Sequence, residues 1–341
     1  MSQGRRGGHA VNASIASTPL AAMSTPSTPD FSAIQKVVRN VFRSSQIKVQ
    51  QVERLQGRLH QVYLIRLVDG TSLVMKCPPT YNTRLLRCEK HALETQLKTL
   101  ETLREYTQLS VPQVIKFDHN NGHLGSPFLL MSHLPGRRLS ELLDHITSSQ
   151  RRSIDRALGH AVKSLTALSA TQYGLTHRVF SKKGYHSWRD AFLSLLESVL
   201  RDAEDMVVTM PYESIRYFVG QHSDYLNEVK EPRLVALDVC DPQNVLVDPQ
   251  NMHITGLVGF SNVIWGDPLM TDGIFNGSAA FFEGFGEYPA RDRGTHARML
   301  LYEIYRATVQ IVAHHYRSHL NTDELVARRS LSDALRELAE L

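Results

Sequence analysis

Apolar residues change their spacing along this chain, and each change marks an element. From Asp30 to Arg43 they recur at helical intervals (Phe31, Ile34, Val37, Val38, Val41), with Asp30 placed as a cap, which predicts a first helix. Three runs then alternate or stay apolar over strand lengths, at Val49–Leu55, Gln61–Leu67 and 72–76. They are joined by residues 56–60 and by the hairpin signal Asp69-Gly70. Leu86, Leu93, Leu97, Leu100 and Leu103 form one stripe and predict a helix over 85–106. A strand from Val111 through Phe117 follows, then a buried run from Phe128 into Pro135-Gly136, with a helix expected from Ser140. Further helices are predicted over 149–171, from His186 onward with Ser187 as N-cap, over 293–319 and over 323–341. Residues 273–288, rich in Gly and Phe, read as a loop and short helix over a pocket, or as plain core.

The most informative stretch is 234–268. Two short aliphatic runs, 244–247 and 254–258, flank Asp248-Pro249-Gln250-Asn251. Proline presets φ for a turn, and Asp and Asn bond their own backbone, so this is a hairpin. Asp238, Asp241 and Asn244 crowd the start of its first strand, and Gly259 follows its second. Oxygen ligands at one end of a hairpin suit a metal–phosphate site.

These residues resemble the catalytic hairpin of the aminoglycoside and choline phosphotransferase family. That family reads roughly H-G-D-x-x-x-x-N-[VI]-L-V-D, a turn, I-T-G-[VI]-[IV]-D-[WF], then W-G-D-P. Asn244 through Asp248, Ile254-Thr255-Gly256 and Trp265-Gly266-Asp267-Pro268 match it. Met131-Ser132-His133-Leu134-Pro135-Gly136 resembles its hinge. The resemblance implies an α+β, bilobal, protein-kinase-like fold. A small antiparallel-sheet lobe (31–134) would precede a mainly helical lobe (135–341) that carries the hairpin. It also implies roles: Lys76 on the nucleotide phosphates, the hinge backbone at Ser132 and Leu134 on adenine, and Asn244 on Mg²⁺. The residue opposite Lys76, a Glu in the family, is Gln96 here, unless a one-turn shift brings Glu89 in.

The acids depart from the pattern. Five residues before Asn244, where the family has its catalytic Asp, stands Val239, and three after Gly256, where it has a metal-binding Asp, stands Gly259. Asp238 could serve as base if the loop shifts by one residue. Asp241 could serve as a catalytic acid or approach the metal, and Asp267 could also reach the metal.

Composition narrows the remaining choices. The 341 residues are 42% hydrophobic and 21% charged, enough for a sizeable core. The net charge of +4 comes from scattered basic pairs such as Arg137-Arg138 and Lys182-Lys183, with no run that predicts nucleic-acid binding. Cys77, Cys88 and Cys240 are too few and too unpatterned for a disulfide framework, which favours a reducing compartment. No run is long and apolar enough to span a membrane. Residues 1–30, rich in Ser, Thr, Pro, Ala and Gly, read as a disordered tail; a cytoplasmic location is expected, with a mitochondrial presequence as the lesser reading. His314, His315 and His319 have no acidic or Cys partner at ligand spacing and are read as a surface helix.

Two functions stand. One is a catalytically degenerate member of the family, a binding or regulatory protein or a pocket reused for other chemistry, with a small-molecule ligand, a possible protein partner and no required cofactor. The other is a phosphotransferase that uses ATP and Mg²⁺ on a small-molecule hydroxyl with non-standard acids.

Overall fold

Asp30 starts the first helix, α1 (Phe31–Phe42), by accepting the Ser32 N–H at 3.2 Å. The helix buries Ile34, Val37 and Val38 against Tyr63 and Ile65 of a sheet. That sheet has five strands: β1 (Val49–Leu55), β2 (Gln61–Leu67), β3 (Ser72–Cys77), β4 (Val114–Asp118) and β5 (Phe128–Ser132). Their order is β1-β2-β3-β5-β4, and every neighbouring pair is antiparallel. The structure is a computed structural model that describes residues 30–120, 124–317 and 323–341. Residues 1–29, and with them the expected disordered tail, lie outside the described residues, as does His319.

The two faces of β3 do different work. Leu73, Met75 and Cys77 point into the core under α1, while Ser72, Val74 and Lys76 are half-buried on the opposite face. On that side lies α2 (Ala92–Tyr106), whose Leu93, Leu97, Leu100 and Leu103 share a core with Leu129 and Met131 of β5. The helix expected over 85–106 starts later than its leucine stripe predicts. Arg87–Glu89 forms a separate 3-10 turn, because its side chains are engaged by the C-terminal half. Arg87 donates its N–H to Asp202 at 2.9 Å and its guanidinium to Asp202 and Asp205. Glu89 receives two bonds from Arg317, at 2.7 and 2.8 Å. Asp202 and Arg317 are nearly inaccessible to solvent, and these bidentate, charge-assisted contacts strap the lead-in of α2 to the helical half.

The helical half is built from the long helices Ser148–Thr166, Trp188–Asp205, Arg293–Tyr316 and Glu324–Glu340. The helix expected from Ser140 is replaced by two 3-10 turns, Leu139–Glu141 and Leu143–His145, where the Ser140 N–H is diverted to the Pro242 carbonyl at 3.0 Å. The helix expected over 149–171 ends at Thr166, since Leu168 and Ala170 pair with the backbone of residues 232 and 234. Two three-stranded sheets complete this half. In one, Val245–Val247 lies between Ile254–Leu257 and Arg137–Arg138; in the other, Val263–Gly266 lies between Gly174–Leu175 and Arg233–Ala236.

The Trp-Gly-Asp-Pro stretch shows why its residues are needed for packing. Trp188 is fully buried and donates its indole N–H to the Tyr302 hydroxyl at 2.7 Å. A side chain at Gly266 would put its Cβ 2.4 Å from that indole, so only glycine fits there. Asp267 caps the turn at Pro268–Met270 through the Leu269 N–H. No helix among the described residues is long and apolar enough to cross a membrane.

Candidate functional site

The half-buried face of β3, the β1–β2 loop, the hinge after β5 and the loop 237–244 converge on one cavity of about 830 Å³. Lys76 projects into it because it alternates with the core residues Met75 and Cys77. Its ammonium donates to Gln96 Oε1 at 2.6 Å, and Gln96 is held in turn against Met131 Sδ at 3.8 Å. Glu89, the alternative partner, is turned to Arg317, and Glu94 faces His91 on the surface. Lys76 therefore has a neutral partner. Burial lowers its pKa to about 8, and the Asp238 carboxylate opposes that shift.

The hinge residues Met131, Ser132, His133 and Leu134 line the same cavity. Ser132 is fixed by its own backbone N–H, which donates to Gln113 O at 2.9 Å, and by its hydroxyl, which accepts the Gln113 N–H at 2.8 Å. Gly136, at φ +113, lets the chain leave the hinge beside Thr255 and Val247, where a Cβ would come within 2.4 Å of Thr255 Oγ1.

Opposite Lys76, the loop 237–244 sends Val239 and Asp238 to different sides. Val239 is buried in the core beside Val245 and Phe260, where apolar burial stabilises it. Asp238 emerges on the cavity wall together with Asp241 and Asn244. Burial raises the Asp238 pKa to about 6, partly offset by Arg58, while neighbouring Asp241 reinforces the rise. Arg58, at the tip of the β1–β2 loop, reaches across the cleft to Asp238 at 3.7 Å. Arg138 ties the same loop down by donating to the Gln56 carbonyl at 2.8 Å. His60 at the loop base is buried and stays neutral, its pKa driven to about 2 by desolvation and by Lys76.

The family's Mg²⁺ requires hard oxygen ligands, usually one or two carboxylates beside the phosphates. Gly259 offers none. It sits at φ +87, and a Cβ there would lie 2.2 Å from Asn244 Oδ1, so the carboxamide already fills the space an Asp would use. Asn244 donates its Nδ2 to the Asp238 carbonyl at 2.8 Å, and its Oδ1 supplies one neutral oxygen, a weak partner for a hard dication. Asp241 accepts the Gln243 N–H at 2.9 Å. Asp267 does not line the cavity; its carboxylate accepts from Tyr302 at 2.7 Å and from Arg298 at 3.1 Å. Among the described residues no group of three or more His, Cys, Asp or Glu side chains is disposed to hold a metal. These residues do not fit the family's Mg²⁺.

The sequence of the Phosphotransferase enzyme family matches residues 51–271, more than half of the chain. The chain belongs to that family. Its fold matches solved members. One is a thermostable mutant of the aminoglycoside phosphotransferase APH(4)-Ia in ternary complex with AMP-PNP and hygromycin B, at TM-score 0.61 and 15% identity, covering 89% of this chain and 98% of that one. Another is APH(2")-IIia in complex with GDP and kanamycin, at TM-score 0.57 and 17% identity, covering 90% and 97%. A curated relative from Arabidopsis thaliana, named "Probable acyl-CoA dehydrogenase IBR3", is 30% identical over 136 residues; the match covers 38% of this chain and 16% of that protein. The chain therefore spans only a small part of that relative's length.

Several cavity residues had no motif to announce them. Arg58 lies within the loop 56–60, which the sequence marks only as the connection between two strands. Asp272 and Arg306, paired at 2.7 Å, and Arg317 come from segments with no recognisable pattern, and only the fold brings them to the cleft.

Proposed function

We propose that this protein binds a nucleotide or a similar anionic small molecule in the cleft between Lys76 and the hairpin, and that metal-dependent phosphoryl transfer is lost. The observation that carries this reading is the Asn244 carboxamide filling the space beside Gly259. The lysine side of the cleft keeps its cation, and Arg58 adds a second charge facing the same loop, so anion binding has electrostatic support without a metal. Residues 31–134 act as the nucleotide side and residues 135–341 as the side that holds the second ligand.

Calorimetric titration with ATP in EDTA and in millimolar Mg²⁺ tests it. The expected result is weak binding of equal strength in both buffers, and no phosphate transfer to hydroxyl acceptors. Tight binding seen only with Mg²⁺ would overturn the reading.

One observation favours the second reading, an active phosphotransferase. Asp238 stands on the cavity wall with a pKa near 6, a suitable range for a general base that accepts a hydroxyl proton at neutral pH. If acceptor phosphorylation is found, Asp238→Asn should reduce it roughly 10²–10⁴-fold, and a variant of unchanged rate would remove Asp238 from that role.

A further inference from the structure

Beyond Asp238 the cavity continues to an end walled by the helix Arg293–Tyr316. Tyr305, Val309 and Ala313, spaced by four and so on one helix face, line it together with Leu86, Leu237 and Met270. Among these apolar groups stand two acids, and each already has a guanidinium. Asp272 accepts from Arg306 at 2.7 Å, and Glu89 accepts from Arg317 at 2.7 and 2.8 Å. Nearer the loop, Asp238 faces Arg58 at 3.7 Å. The formal charges at this end thus pair within the protein, while Arg306 Nη1 and Arg317 Nε are closed off from solvent with no hydrogen-bond partner among the described residues.

An ammonium group entering such a space would lose its water and find each of these carboxylates already matched, which is costly. An uncharged apolar molecule would lose little and would cover the helix face. On the reading that the cleft holds a small molecule, we propose that this end accepts an uncharged, largely apolar compound and excludes polycations of the aminoglycoside type. The solved family members crystallised with hygromycin B or kanamycin would then share the fold but not the ligand chemistry.

The test uses the full chain and two probes, N-phenyl-1-naphthylamine, a neutral apolar fluorophore, and kanamycin. The fluorophore should bind saturably, and kanamycin at millimolar concentration should neither displace it nor raise the melting temperature. Val309→Trp, which fills the apolar end, should weaken fluorophore binding about tenfold or more while leaving ATP affinity as in the parent. Kanamycin stabilising the parent, or undiminished fluorophore binding by V309W, would overturn the proposal. Should V309W fail to fold, Arg306→Met decides: it unmatches the partly exposed Asp272 and should admit kanamycin, and continued exclusion of kanamycin would refute the charge-matching argument. The ATP titration is read separately, so loss of the nucleotide reading and loss of this one leave different records.

Discussion

The two walls of the cleft handle charge in opposite ways. The sheet wall keeps a buried cation, Lys76, on a strand whose alternation forces it inward, with a neutral Gln96 as its support. The hairpin wall keeps the backbone of a metal site, including Asn244 and the turn beyond it, but Val239 has gone into the core and Gly259 carries no side chain. The lesson is that scaffold and chemistry separate cleanly. A hairpin is specified by its turn and its apolar pairs, and those survive here. The resemblance implies a catalytic Asp and a metal-binding Asp in this region, and Val239 and Gly259 stand at those positions.

The contrast is broken most directly at Lys76. Removing it as Lys76→Ala should weaken ATP binding roughly 10–100-fold, the worth of a charged hydrogen bond in a recessed site. Calorimetry that found no change would move the ligand off the sheet wall altogether.

The next effect comes from the other wall. Gly259→Asp returns the missing carboxylate to a backbone at φ +87, against the Asn244 carboxamide. The substitution should cost about 1–3 kcal/mol of stability, read as a lowered melting temperature, without creating Mg²⁺-dependent ATP binding. Recovery of metal dependence in that single variant would show that the loop rearranges freely.

A smaller effect is expected from pH. Lys76, with a folded pKa lowered to about 8, loses its charge as pH rises through that value, and Asp238, raised to about 6, gains a negative charge as pH rises through its own. Both changes disfavour an anion, so ATP affinity should be highest below pH 6 and fall in two steps, near 6 and near 8. In Asp238→Asn the lower step should vanish and the upper remain. Titrations at a series of pH values check this, and an affinity that rises with pH would contradict it.

Arg58→Ala should have the least effect, a few-fold loss, because the side chain is largely exposed and its pairing with Asp238 is long at 3.7 Å. A loss as large as that of Lys76→Ala would make the loop arginine the main anchor and reverse the order of the two cations.

How much of this was legible depended on distance along the chain. β1 and β2 match the bounds read from the sequence, and β3 differs by one residue, because alternation and turn signals are local. The Lys76–Gln96 pair was implied by the family resemblance, and the two side chains meet at 2.6 Å. The lead-in to α2 was read as helix because nothing nearby says that Arg87 and Glu89 have partners more than a hundred residues away. The placement of Asp238 was hidden for a different reason. Counting back from Asn244 lands on Val239, and no local pattern says that Val239 is buried while Asp238 lines the cavity. Asp267 sits in a motif shared with the family, yet its neighbours Tyr302 and Arg298 are supplied by a distant helix.

The strap from residues 87–89 to Asp202 and Arg317 has a kinetic consequence. In a cleft whose wall helix swings, a ligand meets several shapes, and its binding is slowed by waiting for the right one. Here the lead-in to α2 is tied at both charged residues, and with it the Gln96 that holds Lys76. On the proposed reading, the cleft wall should hold one shape before a nucleotide arrives. Arrival should then be a one-step event: stopped-flow traces with a fluorescent nucleotide should follow one exponential whose rate climbs in proportion to ligand concentration, without levelling off.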